Sequence, residues 1–213
     1  MPFSITEFQA LINKNGLAQT NRFDVLITPP RILSTGQGGE SISQVISAYC
    51  DSATIPGIGL QVNNIPRYGI GPTIKKPIHV NFGDWSANFV SDINGNLYKF
   101  FHKWIKSIYN FSNNGNSRGT DSNTNLGSYE ISYKGDYTTD IIISTYDTSN
   151  KPFLKIKLFE AFPYYVQDAQ IARGSIDELL KFNVTFTYRE WSTENLTSTI
   201  PVETTNPITT NFT

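Results

Sequence analysis

The sequence has little of what most active sites are built from: one cysteine, one methionine and two histidines in 213 residues. A single Cys50 excludes an internal disulfide framework. With no histidine near it in the chain, it reads as a small buried hydrophobe rather than a nucleophile. His79 alternates into a strand pattern and His102 falls on a lysine-bearing helix. Metal sites need several convergent ligands, so both read as surface or edge residues. Charge is scarce too, with 16% charged residues and a formal net charge of -1. That balance lacks the basic footprint on which phosphate neutralisation depends, and it excludes tight nucleic-acid binding.

Longer signatures are also missing. There is no GxGxxG after a strand, no GxxxxGK[ST], no HExxH, no GxSxG and no CxxC pair, so nucleotide, zinc and nucleophile-elbow chemistry lose their usual marks. The carboxylates Asp136, Asp140, Asp147, Asp177 and Glu178 sit in or near expected turns, where they read as caps and solvated turn residues. No catalytic, cofactor-binding or metal-binding residue is assigned, and no enzyme activity is expected. No window reaches the roughly 18 apolar residues of a membrane span. The opening MPFSITEFQALINKNG has no basic stretch followed by an apolar core. The expectation is synthesis in the cytoplasm without membrane insertion.

What is present favours pleated structure. Aromatics are abundant (14 Phe, 11 Tyr, 3 Trp) and 38% of residues are hydrophobic, enough for a packed core of β-prone side chains. Ser4 to Leu17 has helical spacing, with Thr6 as N-cap and Gly16 as stop. Asn21 to Pro30 alternates Phe23, Val25 and Ile27 against polar neighbours and ends at two prolines, which reads as a strand with a hard stop. Between Arg31 and Glu40 the run STGQGGE reads as a flexible loop, and Ile42 to Tyr49 fits either a strand or a short helix. The Pro/Gly-punctuated stretch from Asp51 to Pro72 suits an extended, protruding loop or hairpin.

Lys75 to Phe82 and Trp85 to Val90, joined by Gly83-Asp84, read as a second hairpin. The strongest helix places Leu97, Phe100, Phe101, Trp104, Ile105 and Ile108 on one face, a stripe that reads as core, with Lys99, Lys103 and Lys106 opposite. Residues 112–127 are almost pure Asn, Ser, Gly and Thr and read as a mobile insertion. Further strands are expected at Ser128 to Tyr133, Asp140 to Thr145, Pro152 to Glu160 and Lys181 to Trp191. The expected organisation is one mainly-β domain over residues 1–192, a sandwich or barrel flanked by one helix, followed by a Thr/Asn-rich tail over 193–213.

Four phrases, taken in order, resemble the tail tube protein family of T4-type contractile-tailed bacteriophages. They are NRFDVLITPP at Asn21 to Pro30; YCDSATIPG with IPRYGIGPTIKKP between Tyr49 and Pro77; NFGDWSANFVSD with FFHKWIKSI; and LFEAFPYYVQDAQIA with LLKFNVTFTYREW. The resemblance spans Gly16 to Trp191, and the 112–127 insertion and the tail after Ser192 depart from it. It implies a structural virion protein whose hexameric rings stack into a tube. Sheath, baseplate and tape-measure proteins are the implied partners, and DNA passes through without specific binding. Preorganised loops lose little entropy on docking, so Ile55, Pro56, Gly57, Ile58, Arg67, Tyr68 and Gly69 are expected at the contact between rings. A baseplate tube initiator and the inner tube of a contractile injection system fit the same phrases. A carbohydrate-binding module using Tyr164 and Tyr165 is the reading from another class.

Overall fold

The computed structural model describes residues 4–34, 39–66, 71–109, 131–174 and 178–194. Along the chain run α1 (Ile5–Asn15), β1 (Phe23–Ile27), α2 (Arg31–Ser34), α3 (Gly39–Ala48), β2 (Cys50–Ala53), β3 (Ile58–Ile65) and β4 (Ile74–Phe82). Then follow β5 (Trp85–Val90), α4 (Asn96–Ile108), α5 (Lys134–Tyr137), β6 (Thr139–Tyr146), β7 (Pro152–Val166), β8 (Lys181–Thr187) and β9 (Glu190–Thr193). The 112–127 segment and the tail beyond Glu194 lie outside the described residues.

Seven strands form one antiparallel sheet in the order β1-β6-β7-β8-β5-β2, with β9 beside β7, while among the described residues β3 and β4 pair only with each other. The long strand β7 joins two half-sheets. Its first part pairs β6 and β9 and its last part pairs β8. Buried positions along it run Ile156, Leu158 and then Ala161, a step of three where a regular strand steps by two. The extra residue lies at Glu160, whose φ of 52° bends the strand. The neighbouring chain breaks at the same level, between β8 and β9, where the Arg189 N–H donates to the Phe159 carbonyl at 3.0 Å. The Arg189 guanidinium and the Lys134 ammonium both pair with the Glu160 carboxylate. Folded about this bend, the sheet curls until its end strands β1 and β2 lie close together.

The enclosed space is filled by the alternate residues that the strand patterns single out. Val25 and Ile27, Trp85 and Phe89, Ile141 and Ile143, Ile156 and Leu158, and Phe182, Val184 and Phe186 form one buried cluster. Helix α4 plugs it. The Asp92 carboxylate accepts the Leu97 N–H at 3.2 Å and caps the helix start. Leu97, Phe101 and Trp104 are fully buried, with Phe100 and Ile108 partly buried against the same core and Ile105 half-buried. Phe101 meets Phe89 at 5.0 Å and Phe186 at 6.0 Å between ring centroids. Trp104 donates its indole N–H to the Tyr137 carbonyl at 2.8 Å.

Several expectations need correction. The cap of α1 is Ser4, not Thr6: Glu7 lies three residues after Ser4 and its carboxylate accepts the Ser4 N–H, so Thr6 falls inside the first turn. Gly83-Asp84 does not close a hairpin. β4 pairs β3, while β5 pairs β8 and β2, because Trp85, Ala87 and Phe89 belong to the core and β4 does not. Residues 42–48 are helical within α3, which packs on β1 as a second flanking helix. Of the run expected as a flexible loop, Ser34 ends a short helix and Gly39 and Glu40 begin α3, while residues 35–38 lie outside the described residues. Of the strand expected at 128–133, residues 128–130 lie outside the described residues, and of Ile131 to Tyr133 only Ile131 makes a bridge, to Tyr109. β7 runs on to Val166, and the last strand divides into β8 and β9.

Two substitutions test this packing. Phe101→Ala removes a fully buried ring and should cost about 3–5 kcal/mol of stability, read as a lower urea midpoint. The Tyr188 hydroxyl is buried without a hydrogen-bond partner among the described residues. Tyr188→Phe should therefore be neutral or stabilise by up to about 1 kcal/mol. A clear loss of stability in that variant would contradict the burial of an unpartnered hydroxyl.

Candidate assembly surfaces

Strands β3 and β4 make a two-stranded arm that leaves the folded sheet. Ile58 opposes Phe82 and Leu60 opposes Val80, so these four side chains share one face, while Gln61 and His79 oppose each other on the other. At Val62 the register slips: Val62 faces Pro77 and Ile78 becomes an extra residue. A proline, lacking an N–H, fits such a break in the ladder. Toward the tip, Asn63 and Asn64 oppose Lys76 and Lys75, and Ile65 opposes Ile74. The arm thus has an apolar face, yet it is open to solvent, with Ile58 62% and Leu60 60% exposed. A lone two-stranded ribbon is marginally stable in water, and a contiguous exposed apolar face marks an interaction surface.

The arm is rooted at one end of a half-sheet. β2 leaves the sheet and β5 enters it at the level of Trp85, whose indole N–H donates to the Thr54 carbonyl at 2.7 Å. Trp191 donates to the Gly57 carbonyl at 3.3 Å, and Phe82 meets Tyr188 at 6.2 Å. Of the residues expected at an inter-ring contact, Ile55, Gly57 and Ile58 are exposed at this root, whereas Pro56 is buried. Arg67, Tyr68 and Gly69 lie outside the described residues. Sequence reading found the protruding hairpin but placed its second strand elsewhere.

At the other end of the same half-sheet, near Val90 and Lys181, a cavity of about 510 Å³ is lined by Asn88, Gln167, Asp168, Glu178, Leu179 and Phe182, among others. Its floor is fixed by neutral hydrogen bonds, Asn183 to Asn88 and Asn88 to Ser52, each at 2.8 Å. Lys181 is committed to Asp51 at 2.9 Å. Nothing in the linear sequence marks this groove, since its walls come from β5, the segment that follows β7, and the start of β8 with the two residues Glu178 and Leu179 before it.

Elsewhere the chemistry is quiet. Burial, reinforced by Asp24 and Asp51, pushes the Cys50 thiol up to about 12, so it stays protonated at neutral pH. His79 and His102 are exposed, on β4 and α4. Among the described residues no group of three or more His, Cys, Asp or Glu is placed to hold a metal ion. Of the two tyrosines considered for sugar binding, Tyr164 donates its hydroxyl to Asp84 at 2.8 Å, a bond that raises its phenol. No helix of the described residues is long and apolar enough to cross a membrane.

This architecture recurs in known assemblies. An anti-feeding prophage baseplate structure is similar with a TM-score of 0.58 at 13% identity, over 86% of this chain and 99% of that one. A chain of the extended sheath-tube complex of an extracellular contractile injection system, PVC, aligns with a TM-score of 0.54 at 14% identity, over 90% of this chain and 98% of that one. A chain of the anti-feeding prophage tube-terminating cap gives 0.54 at 14% identity, over 84% and 92%. At such identities the likeness is one of fold. No curated protein sequence matches the chain. Residues 18–194 match the family described as phage tail tube protein, a span from just before β1 to the end of β9, and the chain belongs to that family.

Proposed function

We propose that this chain is the repeating subunit of a tail tube, a structural virion protein with no catalytic role, whose hexameric rings stack into a conduit for genome delivery. The observation that carries this reading is the amphipathic arm: a ribbon with an exposed apolar face has no reason to persist unless another molecule covers it. Rings and stacks both use head-to-tail contacts between unlike surfaces. Short sheet edges, such as that of β9, supply ladder groups that a neighbouring protomer can pair. The arm and its root, including Ile55, Gly57 and Ile58, meet the next ring. Sheath, baseplate and tape-measure proteins are the partners, and a near-neutral chain lets DNA pass without holding its phosphates.

A baseplate tube initiator is the second reading, favoured by the similarity to a baseplate structure over 99% of that chain. Negative-stain electron microscopy of the full chain at high concentration, with its mass in solution, separates the two. Stacked cylinders are expected of the tube subunit and single rings of the initiator. A monomer that forms no rings even on a nucleating baseplate would refute both.

The arm itself can be tested separately. Leu60→Asp places a charge on an exposed position, so monomer stability should change by less than about 0.5 kcal/mol. Cylinder formation should be lost, because the charge would be desolvated at the contact. Normal cylinders from Leu60→Asp would show that the apolar face is not buried on assembly.

A further inference from the structure

The arm and the groove occupy opposite ends of one half-sheet. The arm leaves at the level of Trp85 and Phe186; the groove opens at the level of Val90 and Lys181. Along β5 these levels are roughly 17 Å apart, and the arm's eight-residue β3 adds roughly 26 Å beyond the first. Among the described residues the arm's extensive packing is between its own two strands, with Phe82 against Tyr188 at its root, so over that span tip and groove do not meet within one molecule. Their chemistry is opposite in sign. Lys75 and Lys76 stand exposed near the tip beside Ile65 and Ile74. Asp168 and Glu178 stand exposed on the groove wall beside Leu179 and Phe182. None of these four charged groups has a salt bridge among the described residues, whereas the groove's own cation, Lys181, is already held by Asp51.

We infer that the arm tip of one copy docks in this groove on a second copy, Lys75 and Lys76 pairing with Asp168 and Glu178 while the tip isoleucines meet Leu179. The inference rests on the tube reading and adds the receptor for the arm. A ligand at one pole and its receptor at the other make a heterologous contact that repeats along a line without closing on itself. Charge on both partners sets register and speeds encounter, and the apolar neighbours supply the buried area. The contact is therefore salt-sensitive, because exposed charges are screened over about 8 Å at physiological ionic strength.

Charge reversal tests the pairing. Lys75→Glu with Lys76→Glu should raise the protein concentration at which cylinders form by about tenfold or more. Combining it with Asp168→Lys and Glu178→Lys should bring that concentration back to within about threefold of the unchanged chain. Independently, zero-length carbodiimide coupling of the unchanged chain, mixed as heavy- and light-isotope populations and assembled, should give mixed-isotope peptides joining Lys75 or Lys76 to Asp168 or Glu178. Arm reversal without effect, failure of a folded combined variant to recover, or cross-links that join the arm lysines to other carboxylates would overturn the docking. Cylinders from the unchanged chain would still uphold the tube reading in that case. If the unchanged chain forms no cylinders, that reading fails first and the docking falls with it.

Discussion

The bend in β7 at Glu160 is the constraint on which the rest of the fold depends. A fifteen-residue strand that stayed straight would carry a flat seven-stranded sheet, with Leu158 and Phe186 on faces that never meet. One residue with positive φ shifts the alternation by one, and the two halves turn toward each other around a single core. Glutamate is not a residue that favours this conformation, so its surroundings must hold it. They do so with the Arg189 N–H on the Phe159 carbonyl and with two cations on the Glu160 carboxylate. The carboxylate is lowered chiefly by its hydrogen bond to Lys134, with Arg189 adding to the effect. Each exposed ion pair contributes little by itself, but together they fix where the strand turns.

Everything that faces outward follows from that closure. Among the described residues the core is closed with α4 in place, and the β3–β4 ribbon stands outside it. The body folds by ordinary burial. The arm, by contrast, keeps its apolar side chains in solvent, where on the proposed reading they would contribute to association rather than to the monomer. Separating the two roles lets a subunit be soluble alone and adhesive in company, provided its concentration is high or a nucleus is present.

Much of the body was legible in the sequence because local alternation and burial agree there. β1, β6, β8 and α4 were found from spacing alone, and the stripe of Phe101 and Trp104 lies in the core as its period implies. The misreadings have definite causes. Gly83-Asp84 carries hairpin turn chemistry, but Trp85 is captured by Phe186, a partner a hundred residues on, and long-range burial overrides the local signal. Ile42 to Tyr49 had no decisive period and became helix only because it covers β1. Glu160 gave no sign at all: a glutamate with φ of 52° looks like any other glutamate until the residues around it are in place. The groove was equally hidden, being assembled from two strands, β5 and β8, and the segments between β7 and β8.

The pairing of β1 with β6 has a temporal meaning. Phe23 lies opposite Thr145, so the first strand must wait for roughly a hundred and twenty further residues before its partner exists. At about 5–20 residues per second on the ribosome, that delay is about 6–24 s. During it Val25 and Ile27 have no sheet to enter, and no half of the barrel can close early. Synthesis and polymerisation are thereby kept apart in time: an unfinished chain cannot present a formed protomer to a growing end, and only released, fully folded subunits are competent to add.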